Sequence, residues 1–170
     1  MSWTIYTNKV KSVKKQLDAI FNTEKRKVLK SKIVCNIYYA AIEIKNSSEI
    51  FALICKFENK NNFSYKEMSE YEHPFYYNCP EKILKLLSET YNGNALSWRL
   101  KVKDNIKKSN DLSENVGKTF IFSEAFKYQG SEYNIFILKK EDNRYYFYNK
   151  ELGKSFKIKN IIDYDYTIIN

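Results

Sequence analysis

Between residues 9 and 21 the apolar positions Val10, Val13, Leu17, Ile20 and Phe21 recur at helical spacing, with Asn8 placed to cap the segment. This is the pattern of a helix that buries one face. Lys9, Lys11, Lys14 and Lys15 crowd its first turns, where the helix dipole disfavours cations, so packing or a bound anion must hold it. From Val28 to Ile44 the period changes to two. Ile33, Cys35, Ile37, Tyr39 and Ala41 fall on one face of a long strand, Asn46-Ser47-Ser48 turns the chain, and residues 50–57 return as the second arm of a β-hairpin. Glu58 to Asn62 reads as polar loop. Ser64 and Glu67 form a capping-box spacing, which predicts a short helix to about Tyr71. Pro80 suits a first helical position with Cys79 or Asn78 as cap, and Ile83, Leu84, Leu86 and Leu87 supply the stripe of that helix. Asn94 caps a third main helix over 94–108. Its apolar stripe is Ala95, Trp98, Val102 and Ile106, with Arg99, Lys101, Lys103, Lys107 and Lys108 on the other side.

Ser109 to Gly117 is polar, and beyond it the pattern is one of short strands: 119–122, 133–140, 144–149, 154–159 and 166–169. Turn signals separate them at Gln129-Gly130, Glu141-Asp142-Asn143 and Leu152-Gly153. Five short strands, a long loop after the first and a tight segment at 160–163 before the last match a small SH3-like β-barrel. The expected fold class is therefore α+β. A domain at 1–108 holds a helix, a β-hairpin and three helices, a connecting segment covers 109–117, and a small SH3-like β-barrel spans 118–170.

Charge sharpens this picture. The 170 residues carry a net +9, and the excess sits in residues 1–34 and 99–118 rather than over the whole chain. Concentrated basic segments attract polyanions, although lysine also serves simply to solubilise. The aromatic share is 16%, with 15 Tyr and 11 Phe, which suits strands. The three cysteines at 35, 55 and 79 form no CxxC pair, no apolar run reaches the length of a membrane span, and Met1 to Tyr6 lacks the layout of a signal peptide. The expected location is the reducing cytosol of a bacterial host, with no membrane partner.

Candidate chemistry is sparse. Cys79 beside a helix start, with the lone histidine His73 six residues upstream, is the best nucleophile pair, because a helix N-terminus lowers a thiol pKa and an imidazole can pair with the thiolate. Capping explains the same residues more simply. One His and three scattered Cys do not supply a tetrahedral metal site without carboxylates, the carboxylate pairs (Asp163 with Asp165 among them) suit caps and turns, and there is no phosphate loop, so no cofactor is expected. Binding is better supported. Lys11, Lys14, Lys15, Lys25, Arg26 and Lys27, extended by Lys30 and Lys32, make one basic tract; Arg99, Lys103 and Lys107 make another. In the run Tyr145-Tyr146-Phe147-Tyr148 alternate rings must face a core, leaving rings such as Tyr146 and Tyr148 for a partner.

Ordered patches carry a family resemblance. They are Trp3-Thr4, Val28-Leu29-Lys30-Ser31, Tyr38-Tyr39-Ala40-Ala41, Phe63 to Glu70, Tyr76-Tyr77-Asn78-Cys79-Pro80, Ser97-Trp98-Arg99 and Asp163-Tyr164-Asp165-Tyr166. With these the chain resembles an uncharacterised family of small proteins carried by phages, plasmids and other bacterial mobile elements. It departs at Ser2, where that family usually has Gly, and at His73-Pro74-Phe75, where Gly-Pro is commoner. The resemblance implies the context of an accessory gene and brings no activity with it. The expected function is a non-enzymatic protein that binds and inhibits a host nucleoprotein or defence nuclease, in the manner of an anti-CRISPR, through its basic surface. The first alternative is a direct, non-sequence-specific nucleic-acid-binding protein, and the second a Cys79-dependent enzyme.

Overall fold

A computed structural model describes residues 2–6, 13–59, 62–67, 77–158 and 161–170. The chain divides into two compact units, Met1–Lys103 and Asp104–Asn170.

The first unit is built on a five-stranded antiparallel sheet in the order β1-β5-β4-β3-β2, with β1 at Ser2–Tyr6, β2 at Arg26–Val34, β3 at Ile37–Ile44, β4 at Ile50–Asn59 and β5 at Asn62–Glu67. Strand β3 is the spine. Its residues Ile37 to Ile42 are all buried, so both of its faces are covered. On one face lies α1 (Val13–Phe21), whose Leu17 and Phe21 join Tyr38, Ala40, Ile42, Phe51, Leu53 and Cys55 in one apolar cluster. Tyr39, Ala41, Ala52 and Ile54 are equally buried on the opposite face. There α2 (Glu81–Leu84) packs against β3; Tyr77, Cys79, Ile83, Ala95, Trp98 and Val102 are the further buried apolar side chains of the first unit.

Several expectations are corrected here. The long strand over 28–44 is two strands. Cys35 and Asn36 both adopt positive φ (48° and 62°), a two-residue type I′ turn that reverses the chain between β2 and β3. The capping-box residues Ser64 and Glu67 lie in β5, where they pair with Thr4 and Leu53 respectively. The expected helix after Pro80 is a single turn, and Pro80 itself stands at the cap position without a side-chain cap bond. The third helix is longer than expected: α3 runs Gly93–Glu114, capped by Asn92 Oδ1, which accepts from the Ala95 N–H at 3.1 Å. The segment 109–117, expected as a connection, is thus helical as far as Glu114. Strand β1 was not expected at all. Residues 7–12 and 68–76, which include Asn8, Lys11 and His73, lie outside the described residues.

The second unit holds residues 104–114 of α3 and a five-stranded antiparallel sheet in the order β10-β6-β7-β8-β9. The strands are β6 at Thr119–Tyr128, β7 at Ser131–Glu141, β8 at Arg144–Asn149, β9 at Lys154–Phe156 and β10 at Tyr166–Ile169, with a 3-10 turn at Ile161–Asp163 before the last. Instead of a long loop after a short first strand, β6 continues through an irregularity between Ile121 and Phe126 and turns at Gln129-Gly130 into β7. Among the described residues β9 and β10 are not hydrogen-bonded to each other, so the expected SH3-like barrel is not closed. Its inner face is aromatic: Phe120, Phe122, Phe136, Leu138 and Phe147 form the buried cluster, and most ring pairs meet edge to face at 5–6.5 Å. Leu112 of α3 packs on this cluster. Two polar anchors hold the helix to the unit: the Tyr166 hydroxyl donates to Asp111 Oδ2 at 3.1 Å, and Lys108 Nζ donates to the Ile162 carbonyl at 2.8 Å.

Candidate functional site

The sheet of the first unit sorts the basic tract into two groups. Val28, Ser31 and Ile33 of β2 face α1. Lys27, Lys30 and Lys32 therefore point to the other side, and all three are exposed. A bulge between Val28 and Lys30 makes this possible, because a spacing of three residues would otherwise send Lys27 and Lys30 to opposite faces. The outcome is a row of three ammonium groups along an edge strand, with Lys27 opposite Glu43. Arg26 turns the other way, its guanidinium 5.7 Å from the centre of the Phe51 ring. Lys14 and Lys15 stand on α1, on that same side, and Lys14 is engaged: its Nζ lies 2.7 Å from Asp18 Oδ2. Lys15 and Lys25 are exposed. Lys30 and Lys32 thus gain weight as surface cations, while Arg26 and Lys14 serve the fold.

The second basic set is divided as well. Arg99 Nη1 donates to the Ser88 carbonyl at 2.6 Å, and burial lowers its pKa. Lys101 Nζ donates to the Tyr77 hydroxyl at 3.3 Å. Lys108, expected on the outer side of the helix, is buried, with Asp104 at 3.1 Å and Asp165 at 3.7 Å completing its surroundings. Lys103 and Lys107 are exposed, but they belong to different units.

Cys79 has the opposite of nucleophile chemistry. It is 2% exposed, and burial pushes its thiol up to about 12. Its Sγ donates only a weak bond to the Pro80 carbonyl at 3.8 Å. The one-turn α2 does not offset that desolvation. Its expected partner His73 lies outside the described residues. Among the described residues no group of three or more His, Cys, Asp or Glu could hold a metal ion, and no helix is long and apolar enough to cross a membrane.

In the second unit, Phe147 and the partly buried Tyr145 belong to the inner cluster. Tyr146 and Tyr148 occupy the other face of β8, both half-buried. Lys139 Nζ sits 3.6 Å from the centre of the Tyr148 ring, a cation–π contact that already occupies one face of that ring.

Sequence reasoning missed a feature of the inner face. A hollow of about 360 Å³ is lined by Phe126 and Tyr128 of β6, Tyr133 and Phe136 of β7, Phe147 of β8, Phe156 of β9, and Ile158 and Tyr164 beyond it. Among the described residues Lys127 and Lys157 are the charged members of the lining, and each lies between two inward-facing neighbours, so its ammonium group turns away from the rings. Phe126 and Tyr164 form one wall at 5.0 Å between ring centres, and Tyr128 and Phe156 another at 5.3 Å. Lys154 Nζ, just outside, donates to the Tyr128 hydroxyl at 2.9 Å. The volume is of small-ligand size, and an aromatic lining with a few polar groups is the usual make-up of a binding site. The sequence signal was the alternation of rings at 126, 128 and 133, but the rings that close the hollow come from 156 and 164. No protein-family profile, curated protein or solved structure matches the chain.

Proposed function

We propose that this chain is a non-enzymatic accessory protein of a phage, plasmid or other mobile element. In this reading it binds an anionic face of a host nucleoprotein, a defence nuclease such as a CRISPR effector, and blocks it without chemistry. The observation that carries the reading is the row of Lys27, Lys30 and Lys32 on one side of β2. Nearly all of the +9 belongs to the unit that holds this row. A basic inhibitor presses on nucleic acid or on an acidic protein face, whereas an inhibitor that mimics DNA would need the opposite sign. The protonated, buried Cys79 supports binding over covalent catalysis. All three cysteines are free thiols, which suits action in the reducing cytosol of the host. The return of β10 beside β6, after a 3-10 turn, supports an SH3-like relationship for the second unit.

The test reverses the row, Lys27→Glu, Lys30→Glu and Lys32→Glu together, in the full-length protein. All three positions are exposed, and the one cross-strand cost is Lys27→Glu facing Glu43, a like-charge pair worth about 0.2–1 kcal/mol, which thermal unfolding of the variant checks. Binding to a guide-RNA-loaded defence nuclease and to bare duplex DNA is measured against salt. Three phosphate contacts correspond to a log–log slope of about −2.7, and the triple variant loses both the affinity and that slope. Unchanged affinity and slope would rule this face out. Strong binding to bare duplex would favour a direct nucleic-acid-binding protein instead.

A further inference from the structure

The lysine row sits on a strand whose outer edge is only half closed. The two-residue turn at Cys35-Asn36 makes Val34 and Ile37 a hydrogen-bonded pair, because the carbonyl before such a turn accepts from the N–H after it. Bonded and non-bonded pairs alternate along an antiparallel ladder. Lys32 and Lys30 therefore bond to Tyr39 and Ala41, while Ser31 and Ile33 direct their backbone N–H and C=O groups away from β3. Beyond the bulge the chain itself takes the outward groups. The Val28 N–H donates to Asn22 Oδ1 at 2.8 Å, and the Arg26 carbonyl accepts from the Thr23 N–H at 3.0 Å. Among the described residues no such partner meets the outward groups of Ser31 and Ile33. Their N–H and C=O groups stand in line there, with Lys30 and Lys32 on one flank and Ile33 beside α1 on the other.

That combination selects an incoming strand by charge. In a strand added antiparallel to this edge, the residues opposite Ser31 and Ile33 exchange the backbone bonds. The residues opposite Lys30 and Lys32 form the non-hydrogen-bonded pairs, whose Cα atoms are only about 4.5 Å apart. Opposite charges in such pairs stabilise, and like charges destabilise. A second copy of β2 brings lysines of its own to the pairing, so the edge disfavours its own kind and admits an acidic strand. We propose that the open edge at residues 31–33 takes one extended segment of a partner protein, antiparallel to β2. Asp or Glu at alternate positions of that segment face Lys30 and Lys32, and apolar side chains between them lie on the flank of Ile33. This rests on the reading of the row as the contact with the partner, and it names what the row meets: an acidic strand held by backbone as well as by charge.

The test uses the full-length protein and a fluorescein-labelled peptide with Glu-Val-Glu-Val-Glu at its centre, read by anisotropy. This peptide should bind more tightly than one with the same residues in blocked order, Glu-Glu-Glu-Val-Val. Lys30→Gln with Lys32→Gln should weaken binding by about tenfold, since two cross-strand ion pairs are lost. N-methylation of the two valine amides removes the donors aimed at β2, keeps every charge, and should abolish binding. N-methylation of the central glutamate amide, which points away from β2, should leave binding in place. In hydrogen exchange followed by NMR, the Ser31 and Ile33 amides should become protected only in the complex, whereas those of Lys30 and Lys32 are protected by β3 already. The proposal is overturned if the valine-methylated peptide binds like its parent, or if the Ser31 and Ile33 amides gain no protection. It is equally overturned if oligouridine or duplex DNA displaces the peptide and protects neither amide, because the row then serves phosphates. Loss of nuclease binding in the Lys27, Lys30 and Lys32 triple variant alongside any of these results would leave the reading of the row standing and remove the added strand alone.

Discussion

Asp18 is the polar rivet between α1 and the sheet, and its removal should cost the first unit heavily. Its Oδ1 accepts from Ser31 Oγ at 2.5 Å and from the Tyr38 hydroxyl at 2.7 Å, while Oδ2 accepts from Lys14 Nζ at 2.7 Å. Tyr38 is fully buried, so Asp18→Ala strands its hydroxyl away from water. An orphaned buried donor costs about 1–3 kcal/mol, and the lost Ser31 bond to a charged acceptor adds about 1.5 kcal/mol. Lys14 is half-exposed and adds little. The sum is about 3 kcal/mol, or about 12 °C in the melting temperature of a unit this size. Thermal unfolding followed by circular dichroism measures it. Tyr38→Phe alone should cost about 1 kcal/mol, and in Asp18→Ala/Tyr38→Phe the two costs should fall short of their sum by 1 kcal/mol or more, because the stranded hydroxyl is gone. The carboxyl also sets a pH dependence. Burial alone would raise its pKa, but the hydrogen bonds from Lys14, Ser31 and Tyr38 outweigh burial and hold it below the usual 3.8. The folded state therefore binds this proton less readily than the unfolded chain. The stabilisation is complete above about pH 4 and fades as pH falls through the lowered value. Asp18→Asn lacks that acid limb, so its deficit against the wild type should shrink below pH 4. A cost under 1 kcal/mol for Asp18→Ala, or simple additivity with Tyr38→Phe, would refute the assignment.

Two further outcomes follow from the thiols and from the first turn. At pH 7.5 the native protein should react quickly with one equivalent of maleimide at the exposed Cys35, while Cys55 and Cys79, buried and each pushed up to about 12, should label only on unfolding; fast labelling of Cys79 in the native state would revive the nucleophile reading. The left-handed pair Cys35-Asn36 is costly for a cysteine, so Cys35→Asn with Asn36→Gly should stabilise the β2–β3 hairpin by about 1 kcal/mol in urea unfolding, and a loss of stability would count against the type I′ geometry.

What the sequence disclosed was local and periodic. The stripe of Leu17 and Phe21 marked α1, and the alternation in β8 placed Phe147 on the opposite face from Tyr146 and Tyr148. What it hid was either a reversal marked by a single Asn or a pairing distant along the chain. Cys35-Asn36 carries neither Gly nor Pro, so β2 and β3 read as one strand. Ser64 and Glu67 have capping-box spacing, yet Phe63 and Tyr65 alternate around them, and pairing with β1 and β4 decides in favour of a strand. The polar stretch after Ser109 looks like a linker until Leu112 and Asp111 are seen anchored to the second unit's sheet. The hollow needs rings from β6 and from Tyr164, and no spacing rule connects those.

The lysine row has a competing explanation in the fold itself. Edge strands expose unpaired backbone groups, and a charged side chain there blocks unwanted strand addition. The bulge does not decide between protection and binding, because the core also requires it: Val28 and Ile33 are five residues apart and must both face α1. The core constraint thus accounts for the shared direction of residues 27, 30 and 32. It does not account for their identity. One lysine suffices to protect an edge, and polar uncharged residues would satisfy the outward positions equally well. Three cations at three consecutive outward positions raise self-repulsion on the free protein; Glu43 opposite Lys27 offsets part of it, and Lys30 and Lys32, opposite Ala41 and Tyr39, have no acidic residue across the strand pair. On this ground the Lys27, Lys30 and Lys32 row, rather than the total charge of the chain, is the feature a partner would read.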